Sequence, residues 1–264
     1  MAFADISGFR LHYSLEGDSL HPVVVLSNSL GADLSMWDAQ VGELLPAFRV
    51  LRYDTRGHGK SEVSAGPCTL SDLGGDLVGL LDALHIDRAQ VCGVSLGGMT
   101  AMWVGLHAPH RVAGLVLSNT AAKIGTPDAW NERIAKVESE GLASIADAVM
   151  SRWFTPRIPE RDLTVQKEKF LACSLAGYVA ASSAIRDADL RGKIQAITAP
   201  TLVLSGANDP VTPPSDGHAL QAAIPGAIFR EVPGAHLSNI EEPTAYNEIL
   251  LSFLQQQATN EAIR

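Results

Sequence analysis

The sequence lacks several features that would place it in a specialised class. Its 264 residues include only three cysteines and 6% aromatic residues, with no low-complexity tract. No stretch approaches the apolar length that a membrane span requires. The cysteines are far apart and fit no metal-ligand spacing, so we expect small buried or partly buried apolar side chains instead of disulfides or metal ligands. They are Cys68, Cys92 and Cys173.

Positive charge is also scarce. Lysine and arginine number 20 against 29 aspartates and glutamates, which gives a formal net charge of −9. This balance argues against a nucleic acid or an anionic membrane as a partner, and an anionic substrate would need local cations. The first residues, MAFADISGFRLHY, have neither a basic start nor an apolar core, so we expect no signal peptide and a cytoplasmic protein. No feature requires a partner protein, and the sequence leaves open whether the chain forms a homo-oligomer.

The remaining composition predicts an α/β fold. Hydrophobic residues make up 46% of the chain and charged residues 19%, and the length suits one large domain or one domain with an insertion. Short β-rich runs alternate with helical patterns, which predicts an N-terminal hairpin followed by a mostly parallel sheet flanked by helices. The predicted strands lie in residues 9–17, 22–27, 50–54, 89–94, 113–119, 200–206 and 227–232.

Two helices of this alternation show an apolar face. Leucines recur at helical spacing over residues 70–84, directly after Thr69 and Asp72, whose spacing predicts a capping box. The last helix is predicted to pack through the stripe Ala245, Ile249 and Phe253.

Residues 123–197 break the alternation, because they contain helical patterns and no convincing strand. Thr126 and Pro127 are a typical helix start. We therefore expect a helical cap at 123–197, inserted into an α/β core made of residues 1–122 and 198–264.

A glycine-framed serine lies between a predicted strand and a helical run. Residues 93–97, GVSLG, fit the nucleophile-elbow pattern G-x-S-x-G. Such a turn strains the serine backbone and lifts its hydroxyl above the sheet, where flanking side chains would collide and glycine is needed. Ser95 is therefore the predicted nucleophile, which would form an acyl-enzyme.

A serine nucleophile needs a base, and the chain has eight histidines. His236 follows the last predicted strand and precedes the last helix, so it should reach the carboxyl edge of the sheet, where Ser95 lies. His58, in a glycine-rich loop after an earlier strand, is the rival, although we favour a structural role for it. The other six are expected at the surface or at helix ends: His12, His21, His85, His107, His110 and His218.

The base in turn needs a carboxylate that fixes its tautomer. Asp209 follows a predicted strand and is the candidate, whereas the rival Asp216 is expected on the next helix. The equivalent loop one strand earlier offers only Asn119. The order Ser95, Asp209, His236 matches the serine–acid–histidine order of α/β-hydrolases.

Negative charge that develops on an acyl oxygen needs donors already in place. The backbone N–H of Leu96 is one candidate, since it directly follows the nucleophile. The other is the N–H of Leu30, in a loop where Asn28-Ser29 replaces the common His-Gly pair and Gly31 keeps the turn tight.

Over nearly its whole length the chain resembles the α/β-hydrolase superfamily, and more narrowly the 3-oxoadipate enol-lactonases of bacterial aromatic catabolism. The matching stretches are LSNSLGADLSMWD, LRYDTRGHGKSE, CGVSLGGMT, LSNTAAKIGTP, SRWFTP and HLSNIE. The Asn-Ser-Leu-Gly loop and the RWFTP run favour the narrower family. The resemblance implies that 3-oxoadipate enol-lactone is opened to 3-oxoadipate in the β-ketoadipate pathway, without metal or organic cofactor. The alternatives are a general carboxylesterase, a carbon–carbon bond hydrolase acting on vinylogous diketones, and a hydrolase-like ligand receptor.

The implied substrate carries a carboxylate, so a cation near the cap entrance should bind it. Arg133 is slightly favoured because it borders the helix stripe that includes Trp130. Trp153, beside Arg152, would form an apolar wall of the pocket. The candidate cations are Lys123, Arg133, Arg152 and Arg191.

Overall fold

The sheet predicted from the strand pattern is present in the computed structural model, which describes residues 2–6, 8–64 and 66–262. Within these ranges one sheet of eight strands has the order β1-β2-β4-β3-β5-β6-β7-β8. The first two strands form the predicted hairpin, β2 pairs antiparallel with β4, and the other pairs are parallel. The strands are β1 (Ala2–Ile6), β2 (Phe9–Glu16), β3 (Val23–Ser27), β4 (Arg49–Tyr53), β5 (Ala89–Val94), β6 (Val112–Ser118), β7 (Thr201–Gly206) and β8 (Ile228–Val232).

Helices separate most of these strands. The described part of the chain also contains three short 3-10 turns, at Leu34–Trp37, Pro109–Arg111 and Ile194–Ala196. In the same ranges, none of the helices is long and apolar enough to cross a membrane. The helices are α1 (Asp38–Leu44), α2 (Leu70–Ala83), α3 (Leu96–His107), α4 (Pro127–Glu140), α5 (Ala143–Trp153), α6 (Glu160–Leu171), α7 (Leu175–Asp187), α8 (Pro214–Ala223), α9 (Ser238–Glu241) and α10 (Pro243–Ala262).

The central strands β5, β6 and β7 are buried along their whole length. Helices cover both faces of a parallel sheet of this kind, which is why these strands are continuous apolar runs without alternation. Because β3, β5, β6, β7 and β8 run parallel, the loops that follow them meet at one edge of the sheet. Ser95, Asp209 and His236, the predicted nucleophile, acid and base, lie in these loops.

The capping box of α2 is confirmed. The Thr69 hydroxyl accepts a hydrogen bond from the Asp72 N–H (3.2 Å), and the Asp72 carboxylate accepts one from the Thr69 N–H (2.7 Å). Helix α2 packs closely on α3 at Gly74, where an added Cβ would lie 1.9 Å from the Trp103 ring. The predicted leucine face is thereby placed against the core.

The predicted packing stripe of α10 is only partly wrong, because Phe253 is buried as predicted, whereas Ala245 and Ile249 pack at the edge of the buried face of this helix. Its fully buried residues are Tyr246, Leu250 and Leu254, whereas Ala245 and Ile249 are only half-buried. Apolar residues occur at both sets of positions, so helical periodicity alone does not distinguish them. Packing against the sheet distinguishes the two sets, because the Tyr246 hydroxyl lies 3.7 Å from the thiol of Cys92 on β5.

The surface position predicted for His12 is also wrong. His12 is 4% exposed, and its Nδ1 lies 2.7 Å from the Asp54 carboxylate. The reason is that β2 lies inside the sheet between β1 and β4, which brings His12 beside the end of β4. The roles predicted for the cysteines are confirmed: all three are free, with Cys68 and Cys92 buried and Cys173 half-buried.

Helices α4 to α7 follow one another between β6 and β7, with no strand among residues 123–197. Helix α4 begins as predicted, with the Thr126 hydroxyl accepting a hydrogen bond from Ala129 N–H and Pro127 in the first turn. The division into a core of residues 1–122 and 198–264 and a cap of residues 123–197 stays a prediction.

Candidate active site

Ser95 forms a strained turn between β5 and α3. Its backbone has φ 56° and ψ −113°, a conformation that costs a non-glycine residue about 1–3 kcal/mol. The flanking glycines are required as predicted, since a Cβ at Gly93 would lie 2.1 Å from Gly97 O and one at Gly97 would lie 2.1 Å from Ser27 O. The turn is held from β6, because Ser95 N–H donates to Ser118 O (3.0 Å).

A buried aspartate and a buried histidine lie together beside this turn. Asp209 Oδ2 is 2.8 Å from His236 Nδ1 and also accepts hydrogen bonds from Thr212 Oγ1 (2.8 Å) and Asn119 Nδ2 (3.0 Å). Its Oδ1 accepts from the Val211 N–H (2.7 Å). Burial alone would raise the pKa of Asp209. The charge of His236 and the hydrogen bonds outweigh burial, so the pKa of Asp209 lies below its ordinary value.

The rival carboxylate, Asp216, lies on α8 as expected and has no hydrogen bond to His236 among the described residues. Burial raises the pKa of Asp216, and the nearby charge of Asp209 raises it further. The structure therefore brings Asp209, and not Asp216, into contact with the histidine.

Asn119 links the loops of the acid and the histidine, a role that sequence reasoning missed. Besides its bond to Asp209, Asn119 Nδ2 donates to Ala235 O (3.2 Å), while Asn119 Oδ1 accepts from Ser238 Oγ (2.9 Å). The Asn119 backbone has φ 44°. An asparagine directly after a buried strand was the available signal, because asparagine tolerates positive φ better than most residues.

Ser95 and His236 line the same small cavity. Within the described ranges the Ser95 hydroxyl has no hydrogen bond, so its contact with His236 stays part of the prediction. Such contacts are often loose in proteins without substrate and tighten when it binds.

The two amides predicted for the oxyanion hole have no hydrogen-bond acceptor among the described residues. Leu96 is the first residue of α3, so its N–H lies at the positive end of the helix dipole. Leu30 lies in the loop after β3, where Asn28 Nδ2 donates to Tyr53 O (2.8 Å) and Asn28 Oδ1 accepts from Trp37 Nε1 (3.0 Å). The asparagine that replaces the common histidine thus anchors this loop to β4 and to the turn that follows.

His58 supports the same loop, which confirms a structural role. Its Nε2 accepts a hydrogen bond from Gly31 N–H (3.0 Å), and its Nδ1 lies 3.1 Å from Arg56 O. An imidazole that accepts at one nitrogen and donates at the other is neutral. Burial lowers the pKa of His58 and thereby favours this neutral form.

The cavity beside Ser95 has a volume of about 30 Å³, room for about two water molecules. A larger outer chamber of about 520 Å³ adjoins it. Helices α4 and α5 supply most of the side chains that line both spaces, so these side chains form the constriction between them. They are Ile124, Trp130, Arg133, Val149, Arg152 and Val211.

Arg133 lies at this constriction and carries an unpaired buried nitrogen. Its Nε has no hydrogen-bond partner among the described residues, and neither does the buried hydroxyl of Tyr178. The guanidinium carbon lies 5.3 Å from the Trp130 ring centroid and 5.7 Å from that of Tyr178. An unpaired buried donor is costly, so this side chain is suited to bind an acceptor on a ligand.

The other predicted cations divide into two groups. Arg152 also lines the cavity, on its exposed side, and Trp153 forms part of the wall as predicted. Lys123 was a wrong candidate, because its ammonium donates to two backbone carbonyls at the end of α7 (2.9 and 3.0 Å). Arg191 was wrong as well, since it forms an exposed ion pair with Asp189 (2.6 Å). Over the described ranges, no group of histidine, cysteine and acidic side chains is arranged to hold a metal ion.

The sheet order, the strained serine after β5 and the Asp209–His236 pair at the carboxyl edge are those of an α/β-hydrolase. Residues 23–231 match the family described as "Serine aminopeptidase, S33". The chain is 40% identical to 3-oxoadipate enol-lactonase 1 of Acinetobacter baylyi, over 94% of each chain, and 38% identical to 3-oxoadipate enol-lactonase 2 of that organism, over 93% of each. The enol-lactonase from Burkholderia xenovorans LB400 has a crystal structure with a TM-score of 0.94 and 43% identity, covering 96% of this chain and 100% of that one. The chain therefore belongs to this α/β-hydrolase family and, within it, to the 3-oxoadipate enol-lactonases.

Proposed function

We propose that this chain hydrolyses 3-oxoadipate enol-lactone to 3-oxoadipate, a step in the bacterial breakdown of aromatic compounds through the β-ketoadipate pathway. One observation carries the proposal: Ser95, His236 and Arg133 border a single small cavity, and Arg133 Nε has no hydrogen-bond partner among the described residues. That combination suits a small ester that carries a negative charge. The names of the relatives agree with it.

In the first half of the reaction, the Ser95 hydroxyl attacks the lactone carbonyl and His236 Nε2 takes its proton. Asp209 holds the other ring nitrogen and stabilises the imidazolium that forms. The amides of Leu30 and Leu96 bind the negative oxygen of the tetrahedral intermediate. Collapse of this intermediate breaks the ring carbon–oxygen bond, the leaving enol oxygen takes the proton from His236 Nε2, and an acyl-enzyme with a neutral His236 remains.

The second half has to avoid re-closure of the ring. The enol oxygen that leaves stays tethered to the acyl group, and tethered nucleophiles react with large effective molarities. Ketonisation of the enol removes this nucleophile. Water that is activated by His236 then attacks the acyl-enzyme and releases 3-oxoadipate.

Substrate charge is the main difficulty for a protein with a net charge of −9. Arg133 binds the substrate carboxylate, because its Nε is buried at the constriction without a partner. Arg152 offers a second cation on the exposed side of the same constriction, and the rings of Trp130 and Trp153 form apolar walls.

Residues 123–197 act as the cap of a core formed by residues 1–122 and 198–264. The lactone carbonyl would lie in the small cavity beside Ser95, and the rest of the substrate would extend into the adjoining chamber, which is lined mostly by side chains of this segment. The reaction needs no metal or organic cofactor, because serine, imidazole and carboxylate supply the nucleophile, the base and its support. Three free thiols fit a reducing cytoplasm.

The test mixes the purified protein with the enol-lactone and follows the loss of its ultraviolet absorbance, with Ser95→Ala as the matched control. We expect rapid loss with wild type and none above background with the variant. A general esterase or a carbon–carbon bond hydrolase would instead prefer a neutral ester or a vinylogous diketone by kcat/KM. A ligand receptor would bind the lactone with a change in cap conformation and little turnover. Either result would contradict the proposal.

A further inference from the structure

One carboxylate joins the end of α5 to the loop that carries His236. Glu241 Oε1 accepts hydrogen bonds from the Thr155 N–H (2.9 Å) and from the Thr155 hydroxyl. Glu241 Oε2 accepts one from the Ala235 N–H (2.8 Å). Because Ala235 directly precedes His236, Glu241 connects the histidine to a segment 80 residues away in sequence, between α5 and α6.

A second hydrogen bond ties the other side of the histidine to the same segment. The N–H of Leu237 donates to Trp153 O (3.0 Å). His236 is thus held between two bonds, one on each neighbouring residue, and both lead to residues 153–155. Since the Trp153 ring and the imidazole line the same cavity, the position of this cap segment and that of the histidine depend on each other.

We propose that Glu241 is a positioning residue that holds His236 in line with Ser95 and couples this alignment to residues 153–155. The carboxylate is required because both of its oxygens accept from N–H groups. A glutamine at this position would point its own N–H₂ at one of these donors. Misplacing a catalytic group by about 1 Å can cost on the order of 10² in rate, so a small shift of the loop is enough to matter.

The test measures the second-order rate at which an alkyl fluorophosphonate labels Ser95, a reaction that needs the serine and its base but not the lactone. Glu241→Gln is compared with Glu242→Gln, whose carboxylate contacts only the exposed Arg157 among charged groups of the described chain (3.2 Å). We expect labelling to slow about tenfold to a hundredfold in Glu241→Gln and to stay at the wild-type rate in Glu242→Gln. The melting temperature is recorded for each variant, and labelling is measured well below it.

Equal labelling rates in Glu241→Gln and wild type would overturn the proposal. So would a variant that labels normally and loses only lactone kcat/KM, because Glu241 would then act on substrate binding instead of on His236. If Glu241→Gln does not fold, Thr155→Val removes one bond to the carboxylate and Thr155→Ser retains it. Slower labelling in the valine variant alone supports the proposal, and equal rates in both overturn it. The inference rests on the triad of the proposed function but not on the lactone. Wild-type protein that is labelled at Ser95 but does not turn over the lactone would therefore refute only the proposed substrate.

Discussion

Replacement of Arg133 by leucine tests how this acidic protein binds an anion. Leucine keeps the aliphatic bulk between Trp130 and Tyr178 but removes the guanidinium. If Arg133 binds the substrate carboxylate, the variant loses a hydrogen bond between charged groups. Such a bond contributes about 1.5–3 kcal/mol, which corresponds to roughly ten- to a hundredfold in kcat/KM.

The same replacement should not destabilise the fold. Arg133 Nε is buried without a partner among the described residues, and a buried unpaired donor costs about 1–3 kcal/mol. Removing it offsets the loss of the contacts with the Trp130 and Tyr178 rings, which contribute about 0.5–2 kcal/mol. We therefore expect a melting temperature that is unchanged or higher, together with the loss of affinity.

The assay compares kcat/KM for the lactone anion and for its neutral methyl ester. Wild type should prefer the anion, and Arg133→Leu should lose this preference while its rate with the ester changes little. Arg191→Leu is the matched control, because it removes the same charge from an exposed ion pair. An unchanged preference in Arg133→Leu, or an equal loss in Arg191→Leu, would refute the reasoning. The first result would indicate that Arg152, not Arg133, binds the substrate carboxylate. The second would indicate that the overall charge of the protein, and not a local contact, sets the preference for the anion.

Four other predictions follow from the site. Ser95→Ala should lower kcat by on the order of 10⁴–10⁶ with an unchanged fold, and more than a tenth of wild-type activity would exclude Ser95 as nucleophile. Asp209→Asn should lower kcat roughly 10⁴-fold, and a larger loss in Asp216→Asn would reassign the acid. His58→Leu should lower kcat about tenfold by releasing the Gly31 amide, with His58→Gln closer to wild type; equal rates in both would contradict this role. Since folding lowers the pKa of Asp209, its ionised form stabilises the protein above about pH 4, and this contribution is lost as the pH falls through the pKa of the folded state. The difference in unfolding free energy between wild type and Asp209→Asn, measured in urea, should shrink from about pH 6 to about pH 3. A constant difference would contradict the lowered pKa of Asp209 in the folded protein.

The core of the site could be predicted from sequence because its signals are local. Ser95 lies in a strand–turn–helix motif whose glycines have a steric reason, and that reason is confirmed. Asp209 and His236 each follow a predicted strand, and parallel strands bring such loops to one edge. Predicting that Asp209 and His236 lie together required only the order of the strands along the chain.

Contacts between distant polar residues could not be predicted in this way. His12 pairs with Asp54 only because β2 lies inside the sheet, and neighbouring residues in the chain do not reveal this pairing. The stripe of α10 was ambiguous, since two neighbouring faces of that helix are apolar. Asn119 and Glu241 each hold residues from remote loops, and no short spacing in the sequence marks such a residue.

The sheet edge was easier to predict than the helices at residues 123–197, and this difference has a physical cause. Backbone hydrogen bonds between strands fix the register of the sheet, so the place of a loop residue follows from the strand that precedes it. The helices at residues 123–197 are positioned by side-chain packing and by a few hydrogen bonds to other parts of the chain, such as the one from Leu237 N–H to Trp153 O, and such packing tolerates many arrangements. Lys123 and Arg133 were therefore both candidates in the sequence, with Arg133 only slightly favoured. In the structure the Lys123 ammonium donates to backbone carbonyls, whereas Arg133 lies at the constriction and its Nε has no hydrogen-bond partner among the described residues. The catalytic residues of this enzyme thus follow from the sheet edge, whereas the proposed substrate contacts involve residues 123–197, whose arrangement is visible only in the folded structure.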